Sequence, residues 1–315
     1  MAHTIELAGR LRVGSMGIGA MPWSDSRGFG YGSRLGLEQA RQAFQACLGD
    51  GAVPTLFDTA EMYGFGKSER ILGALVHGAA RPTCVATKYA PWPWRMTRRG
   101  VVAALRRSLA RLGLPSVDLY QIHFPPLLAP VPRIVEGLGD AVEAGLARCV
   151  GVSNFSAAQM RQAHALLARR GVPLASNQVE YSLVQRRPET NGVLEACREL
   201  GVVLVAYSPL GRGVLSGKYG AGTRPADMRK RMPVFQPSRL ERIAPLVAAL
   251  REIGAKHGER TPSQVALNWL ARDPRVLPIP GAKTEQQARE NMESVQFALS
   301  AADAERIDVL SKQFR

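Results

Sequence analysis

Eight short runs of apolar residues, separated by longer amphipathic stretches, recur along the 315-residue chain. The runs are continuous instead of alternating in polarity, which is typical of strands buried on both faces of a parallel sheet. They cover residues 15–20, 53–57, 83–87, 117–122, 147–152, 174–179, 202–206 and 276–279. Repeated strand–helix units without a break in composition predict an α/β fold, a (β/α)8 TIM barrel in one domain spanning residues 1–315.

The stretches between these runs carry helical periodicity and local signals for helix ends. Helices are predicted at residues 97–112, 132–144, 156–170 and 189–200. Ser156 is suited to cap the third of these helices, and Gly113 is suited to end the first in the left-handed conformation. Outside the repeated units, residues 4–13 predict a β-hairpin that turns at Gly9 and covers the bottom of the barrel. Residues 301–310 predict an extra C-terminal helix.

Three loops that follow predicted strands are unusually long. They cover residues 19–36, 124–132 and 211–237, and the last contains a basic run at residues 229–231. Loops of more than about 12–15 residues in a compact domain are usually functional or disordered. Because the functional site of a β/α-barrel lies at the C-terminal ends of its strands, we expect these loops to wall the site.

The chain is strongly basic. It has 41 Lys and Arg residues against 26 Asp and Glu residues, a formal net charge of +15. Such an excess can indicate a nucleic-acid partner, but the basic residues are scattered over the predicted outer helical faces without a recognisable binding motif. We therefore expect no nucleic-acid partner, and we expect the positive charge to attract an anionic cofactor instead.

The sequence indicates neither a membrane span nor a metal site. No stretch approaches the roughly 20 consecutive apolar residues of a membrane span, and residues 1–10 lack the apolar run of a signal peptide. A cytoplasmic protein without a membrane partner is expected. The histidines lack metal-ligand spacing, and the cysteines lie far apart in sequence, at Cys47, Cys84, Cys149 and Cys197. Reduced, buried thiols and no bound metal are expected.

Four polar or ionisable side chains follow successive predicted strands. Asp58 follows the second strand, Tyr63 lies five residues later, Lys88 follows the third strand and His123 follows the fourth. Neighbouring strands of a barrel lie about 4.8 Å apart, so these strand ends converge on one pocket. Each residue alone would more often be an ordinary surface or structural residue. Their combination at consecutive strand ends favours a catalytic site.

These residue types suit the reduction of a carbonyl group. Negative charge that grows on the carbonyl oxygen needs a proton donor. A tyrosine, whose pKa is about 10, becomes a better acid beside a cation that favours its phenolate. We therefore expect Tyr63 to be the general acid and Lys88 to lower its pKa. Asp58 would hold the ammonium group in place, and His123 would orient the carbonyl oxygen.

Motifs along nearly the whole chain resemble those of the aldo-keto reductase family. They are residues 58–64 (DTAEMYG), 68–69 (SE), 87–88 (TK), 121–123 (QIH), 151–155 (GVSNF), 178 (Q), 206–211 (AYSPLG) and 279–283 (IPGAK). The resemblance implies the same eight-stranded barrel and carries the family's catalytic tetrad onto Asp58, Tyr63, Lys88 and His123. Residues 211–219 (GRGVLSGKY) resemble the branch that contains bacterial broad-range reductases and ion-channel β subunits.

The resemblance also implies a site for a nicotinamide cofactor. At the nicotinamide end, Ser153, Asn154 and Gln178 match residues that hydrogen-bond the carboxamide, and Tyr207 matches the aromatic residue beneath the ring. For the pyrophosphate, the resemblance implies a cradle of Ser208, Leu210 and Gly211.

At the adenosine end, the resemblance implies a second group of cofactor contacts. These residues are Gly281, Lys283, Thr284, Gln287, Glu290 and Asn291. Lys283 and Thr284 match the position of the 2′-phosphate, where a cation favours NADPH over NADH. Glu290 and Asn291 match contacts to the adenine. Gln287 departs from the pattern, since many relatives have an arginine there.

The expected partner is a small-molecule carbonyl substrate in a pocket lined by Trp23, Trp92 and Phe124, with Trp94 as a further candidate. The expected activity is NADPH-dependent reduction of aldehydes or ketones to alcohols by a monomer or homo-oligomer. An alternative is a cofactor-sensing regulatory subunit with slow, incidental turnover, because the resembling branch contains such subunits. A barrel hydrolase or isomerase would need paired carboxylates or metal ligands at the strand ends, which the sequence does not offer.

Overall fold

The computed structural model describes residues 3–24, 32, 36–48, 53–126, 128, 130–220 and 222–315. Two strands, β1 (Thr4–Leu7) and β2 (Leu11–Gly14), form an antiparallel hairpin. Eight parallel strands follow, each pairing with the next along the chain. They are β3 (Ile18–Gly19), β4 (Thr55–Asp58), β5 (Thr83–Tyr89), β6 (Val117–Ile122), β7 (Ala147–Ser153), β8 (Leu174–Glu180), β9 (Val203–Tyr207) and β10 (Val276–Pro278).

The first and last strands of this sheet approach each other and nearly close it. Gly17 N donates to Pro278 O at 2.9 Å, and Gly19 N donates to Pro280 O at 3.0 Å. Gly19 also forms a parallel bridge with Gly281. The predicted eight-stranded TIM barrel is confirmed, and each of the eight apolar runs overlaps a strand of the barrel.

Helices surround the barrel. They are α1 (Leu37–Ala46), α2 (Lys67–His77), α3 (Arg98–Leu112), α4 (Val131–Glu143), α5 (Ala157–Ala168), α6 (Val193–Leu200), α7 (Pro237–Lys256), α8 (Pro262–Ala271), α9 (Glu285–Glu293) and α10 (Ala301–Ser311). Ser156 caps α5 by accepting a hydrogen bond from Gln159 N, and Gly113 ends α3 with φ +68°. Both features match the sequence prediction. The extra C-terminal helix is also present, as α10.

Two predicted element boundaries were wrong. The helix expected at residues 189–200 begins only at Val193, because Gly192 before it has φ +79° and interrupts the helical backbone. A separate 3₁₀ turn, Arg187–Glu189, precedes this break. The strand expected at residues 15–20 is reduced to Ile18–Gly19.

The long loops differ in how much regular structure they contain. The described part of residues 211–237 includes 3₁₀ turns at Gly211–Ser216, Met228–Arg231 and Pro233–Phe235. Most of the loop expected at residues 19–36 lies outside the described residues. Among the helices that the structure describes, none is long and apolar enough to cross a membrane.

The N-terminal hairpin closes the bottom of the barrel, as predicted. Its turn contains two left-handed residues, Ala8 and Gly9. Ile5 and Leu7 from β1 are fully buried, in a cluster that includes Leu56 of β4. Burying an aliphatic side chain of this size contributes about 1.5–3 kcal/mol. The hairpin therefore stabilises the end of the barrel opposite the strand C-termini.

Candidate active site

A buried ion pair between Asp58 and Lys88 forms the centre of the site. Asp58 ends β4, and Lys88 lies in β5 two residues beyond Ala86, the partner of Asp58 in the sheet. Lys88 Nζ lies 2.5 Å from Asp58 Oδ2 and 2.8 Å from Thr59 O. The two side chains are 0% and 2% exposed. Each charge therefore depends on the other, because an unpaired charge at this depth is strongly destabilising.

Tyr63 lies on the turn that connects β4 to α2. Its hydroxyl is 3.4 Å from Lys88 Nζ, which also lies 5.0 Å from the centre of the phenol ring. Two backbone hydrogen bonds hold the turn, from Tyr63 N to Ala60 O and from Ser68 N to Tyr63 O. Lys88 thus contacts both the buried carboxylate and the phenol hydroxyl.

His123 directly follows β6 and faces Tyr63. The two ring centres lie 5.7 Å apart with the ring planes at 83°. His123 N donates to Tyr89 O at 2.8 Å, and Asn154 Nδ2 donates to His123 O at 3.1 Å, so the backbone on both sides is fixed. The structure therefore places all four side chains predicted from the strand ends in one cluster.

The ionisation of this cluster differs from the sequence prediction. Burial raises the pKa of Tyr63 above its ordinary value of 10.0, and the charge of Lys88 opposes this rise without cancelling it. Burial acts to lower the pKa of Lys88, but Asp58 and Tyr63 outweigh it and the pKa is raised. Burial, with Lys88 adding to it, lowers the pKa of His123 to about 3. Lys88 thus acts to lower the Tyr63 pKa, as expected, but burial has the larger effect and the net pKa is raised, because desolvation disfavours the phenolate.

The four residues expected at the nicotinamide ring form one hydrogen-bonded group. Gln178 Nε2 donates to Asp58 Oδ1 at 2.9 Å, and Ser153 Oγ donates to Gln178 O at 2.8 Å. Asn154 Nδ2 donates to Ser153 Oγ, and Tyr207 OH donates to Asn154 Oδ1, both at 3.1 Å. Asn154 has φ +61°. This group connects β7, β8 and β9 to the Asp58 carboxylate.

The segment expected to hold a pyrophosphate has an unusual backbone. Ser208, Gly211 and Arg212 all have positive φ, at +50°, +55° and +59°. Leu210 leads into the 3₁₀ turn that begins at Gly211. A Cβ atom on Gly211 would lie 2.5 Å from Val184 Cγ2, so no larger residue fits there. Left-handed residues in such turns direct backbone N–H groups into a concave surface that suits an anion.

Arg229 fastens the long loop to this segment. It forms an ion pair with Asp227 at 2.8 Å and donates to Arg212 O at 3.1 Å and to Tyr219 OH at 3.3 Å. The hydrogen bond from Arg229 is the main cause of a lowered Asp227 pKa, to which the charge of Lys283 also contributes. The loop therefore carries its charged residues to the edge of the barrel where Lys283 lies.

Lys283 lies immediately before α9. Thr284 caps this helix, with its Oγ1 accepting from Gln287 N at 3.3 Å. The Gln287 side chain accepts a hydrogen bond from Lys283 N at 2.9 Å. The N-terminus of a helix favours anions, and Lys283 adds a positive charge at this end. The Gln287 side chain thus binds the protein backbone just before α9.

The remaining residues expected at the adenosine end make protein contacts. Asn291 is buried and its Nδ2 donates to Gly281 O at 3.4 Å. Glu290 Oε1 accepts from Gln286 Nε2 at 2.9 Å. Asn291 thus joins α9 to the segment after β10.

Trp23, expected in the substrate pocket, is instead part of the hydrophobic core. Its side chain is 1% exposed, and its ring lies 6.4 Å from that of Phe44 and 6.2 Å from that of Phe57. Its Nε1 donates to Ala282 O at 2.8 Å. The ring is therefore surrounded by protein and offers almost no surface to a ligand.

Trp92 and Phe124, the other predicted pocket residues, lie in an aromatic row that begins at His123. Phe124 lies 5.8 Å from His123, and Trp92 lies 6.2 Å from Phe124 with the rings at 75°. Trp94 stacks on Trp92 at 5.7 Å with the rings nearly parallel, at 6°. Trp94 is 78% exposed. This row provides an apolar surface that leads from the cluster around Lys88 towards solvent.

Two further groups at the site, Gln121 and the Glu61–Arg95 ion pair, had no separate role predicted from the sequence. Gln121 in β6 donates to Asp58 Oδ1 at 3.3 Å, and its signal was a glutamine directly before the apolar residue that ends the strand. Glu61 accepts hydrogen bonds from Ala90 N and from Arg95, with which it forms an ion pair. This pair joins the turn that carries Tyr63 to the loop that carries the two tryptophans. No sequence pattern indicated a role for Arg95, because its partner Glu61 is distant in sequence.

Known proteins similar to this chain agree with its fold and motifs. A sequence model described as the aldo/keto reductase family matches residues 15–312. The chain is 37% identical to the chloroplastic pyridoxal reductase of Arabidopsis thaliana over 318 residues, which cover 97% of this chain and 85% of that protein. It is 38% identical to an uncharacterized oxidoreductase of Mycobacterium tuberculosis over 315 residues, which cover 99% of this chain and 93% of that protein.

A solved structure gives the same result at the level of the fold. The glycerol dehydrogenase from Gluconobacter oxydans superimposes with a TM-score of 0.82 at 25% sequence identity, covering 99% of this chain and 95% of that one. Both the family match and the two relatives span nearly the whole chain. The chain therefore belongs to the aldo/keto reductase family of oxidoreductases.

Proposed function

We propose that this protein reduces aldehydes or ketones to alcohols with NADPH, and that Tyr63 donates the proton. The observation that carries the proposal is the position of Lys88, which contacts both Asp58 Oδ2 and the Tyr63 hydroxyl. Tyr63 is protonated at neutral pH, since the ordinary pKa of a tyrosine is 10.0 and burial raises it further. An alkoxide is much more basic than a phenolate, so Tyr63 can still give its proton to the oxygen of the developing alcohol.

The chain's own residues would position both reactants. Ser153, Asn154 and Gln178 would hold the carboxamide of the cofactor, and Tyr207 would lie against its ring. A reduced nicotinamide bound there would supply the hydride. His123 would stay neutral, because its pKa is about 3, and its imidazole would direct the substrate oxygen towards Tyr63. A neutral imidazole can donate one hydrogen bond to a carbonyl oxygen while Tyr63 remains the acid.

The dinucleotide fits what the structure offers at the rim. The left-handed segment at Ser208, Gly211 and Arg212 suits a pyrophosphate, and the Gly211 backbone has no room for a side chain. Lys283 at the N-terminus of α9 suits the 2′-phosphate, because a cation and a helix N-terminus both favour an anion. We therefore assign NADPH as the preferred cofactor. The aromatic row from His123 to Trp94 supports aromatic carbonyl compounds as substrates.

The test is a reduction assay with 4-nitrobenzaldehyde, followed by the absorbance of NADPH at 340 nm. We expect one NADPH consumed for each alcohol formed. Tight NADPH binding without turnover across a panel of aldehydes and ketones would contradict the proposal. It would favour the alternative of a cofactor-sensing subunit.

We expect Lys283→Met to raise the Kd for NADPH about tenfold or more, since a hydrogen bond to a charged group contributes about 1.5–3 kcal/mol. The Kd for NADH should change little, because NADH lacks the 2′-phosphate. Titration of the intrinsic tryptophan fluorescence with each cofactor measures both constants. Lys256→Met is the matched control, since Lys256 is an exposed residue that ends α7. Equal weakening of NADH and NADPH would remove Lys283 from the 2′-phosphate site.

The pH dependence of reduction should have no transition between about pH 5 and 9. Tyr63 is protonated below its pKa, which is raised above 10.0, and His123 is neutral above about 3. Neither group therefore changes its charge in that interval. Alcohol oxidation should rise at high pH instead, because it needs the Tyr63 phenolate as a base. Profiles of kcat in both directions measure this, and an acid limb near the ordinary histidine pKa would contradict the neutral role of His123.

A further inference from the structure

A row of residues inside the barrel extends from Lys88 of the catalytic cluster across the next three strands. Lys88, Gln121, Gly151 and Ser176 occupy one continuous row across β5, β6, β7 and β8. The Gln121 and Ser176 side chains are fully buried. The interiors of such barrels are filled mainly by branched apolar residues. A buried glutamine here must find hydrogen-bond partners, because an unsatisfied amide in this environment is destabilising.

Gln121 finds its partners around the catalytic carboxylate. Its Nε2 donates to Asp58 Oδ1 at 3.3 Å, and its Oε1 accepts from Ser176 Oγ at 3.3 Å. Gln178 Nε2 donates to the same Asp58 oxygen at 2.9 Å and lies 3.4 Å from Gln121 Oε1. Lys88 binds the other oxygen, Asp58 Oδ2. Asp58 Oδ1 thus accepts hydrogen bonds from two amides, and Asp58 Oδ2 accepts one from the ammonium group of Lys88.

Chemistry dictates the orientation of both amides. An ionised carboxylate only accepts hydrogen bonds, so Gln121 and Gln178 must each turn the NH₂ end towards Asp58. Gln121 Oε1 is then left to accept from Ser176 and Gln178. Gln178 Nε2 is held by two acceptors, Asp58 and Gln121. The side-chain oxygen of Gln178, Oε1, consequently points away from Asp58 and can accept a hydrogen bond from a ligand.

The neighbouring strand makes room for this arrangement. Gly151 of β7 lies between Gln121 and Ser176 in the sheet. A Cβ atom at Gly151 would lie 2.2 Å from Ser176 Oγ and 3.3 Å from Gln121 Cγ. Even an alanine would therefore displace the hydroxyl that holds Gln121. The absence of a side chain at this point independently supports a specific packing of the Gln121–Ser176 pair.

We propose that Gln121 is a positioning residue that fixes the amide of Gln178 and the carboxylate of Asp58. Through Gln178, it determines that an acceptor oxygen faces the carboxamide NH₂ group of the cofactor. Through Asp58, it keeps Lys88 beside Tyr63. This inference rests on the proposed function, because it assigns Gln178 to the nicotinamide carboxamide. It adds a residue that contacts neither substrate nor cofactor.

The first test compares two ligands in Gln121→Met, a variant with a side chain of similar volume and no amide. The ligands are NADPH and its 3-acetylpyridine analogue, in which an acetyl group replaces the carboxamide and removes the NH₂ donor. The wild-type protein should prefer NADPH about tenfold, a usual value for one hydrogen bond. Gln121→Met should reduce this preference to about threefold or less. Tryptophan fluorescence titration measures binding without turnover.

The second test uses Gln121→Glu and pH. The introduced carboxyl would face the ionisable groups of Asp58, Lys88 and Tyr63. Ser176, Gln178 and His123 would also lie around it. While protonated, it can donate to Asp58 and accept from Ser176, so it should keep the NADPH preference and kcat close to the wild-type values. When it ionises, it would repel Asp58, and both should fall as pH rises. The wild-type protein and Gln121→Met should lack this transition.

Gln264→Met is the matched control. Gln264 is also a buried glutamine, but it caps α8 through Thr261. Its loss should lower the Tm and leave both the NADPH preference and the pH profile unchanged. If Gln121→Met behaves in the same way, the positioning role is overturned and Gln121 is only structural. If the wild-type protein neither binds NADPH nor reduces 4-nitrobenzaldehyde, the proposed function fails instead.

Discussion

Tyr63→Phe is expected to lower kcat for carbonyl reduction about 10²–10⁴-fold, the range contributed by a general acid. The substitution removes only the hydroxyl that lies 3.4 Å from Lys88 Nζ. The ring can keep its edge-to-face contact with His123, and the Asp58–Lys88 pair stays intact. The Tm and the Kd for NADPH should therefore change little. Rates from NADPH consumption at 340 nm, with fluorescence titration of the cofactor, separate chemistry from binding.

The matched control is Tyr120→Phe. Tyr120 is also buried, and its hydroxyl donates to Val101 O at 3.1 Å, which ties β6 to α3. Loss of this hydrogen bond should reduce the free energy of unfolding by about 1 kcal/mol and leave kcat unchanged. A Tyr63→Phe enzyme that kept more than about a tenth of wild-type kcat would show that another group supplies the proton.

Lys88→Met is expected to reduce stability as well as activity. Removing the ammonium leaves the Asp58 carboxylate buried without its cation, and breaking a buried pair in this way costs about 3–5 kcal/mol. The carboxylate would still accept hydrogen bonds from the amides of Gln121 and Gln178. These bonds limit the loss of stability but do not replace the positive charge. Activity should fall at least as far as in Tyr63→Phe, because the groups around the acid also move. Urea unfolding measures the first effect, and the 340 nm assay measures the second.

The double variant Asp58→Asn/Lys88→Met separates the two effects. A neutral asparagine can still accept hydrogen bonds from Gln121 and Gln178, and no unpaired charge remains. Replacing a buried ion pair by neutral groups is often close to neutral for stability, so most of the lost stability should return. Activity should not return, because the ammonium beside Tyr63 is still absent. A double variant as unstable as Lys88→Met would mean that the two charges do not depend on each other.

The sequence by itself determined the architecture and which four side chains cluster at the strand ends. Continuous apolar runs mark strands buried on both faces, and the parallel order of those strands brings their C-terminal ends to one rim. Asp58, Lys88 and His123 lie at the C-terminal ends of three consecutive strands, so their proximity follows from topology. The helix caps at Ser156 and Gly113 could also be predicted from the sequence, because they depend on neighbouring residues.

The tertiary structure alone decided properties that depend on distant neighbours. Trp23 became a core residue because Phe44 and Phe57 surround it. The pKa of Tyr63 rose because desolvation outweighs the charge of Lys88, a balance set by packing density and not by residue type. Gln121 acquired its role because β8 brings Ser176 and Gln178 against it. Desolvation and long-range hydrogen bonds arise only when the chain is folded, so a local pattern cannot reveal them.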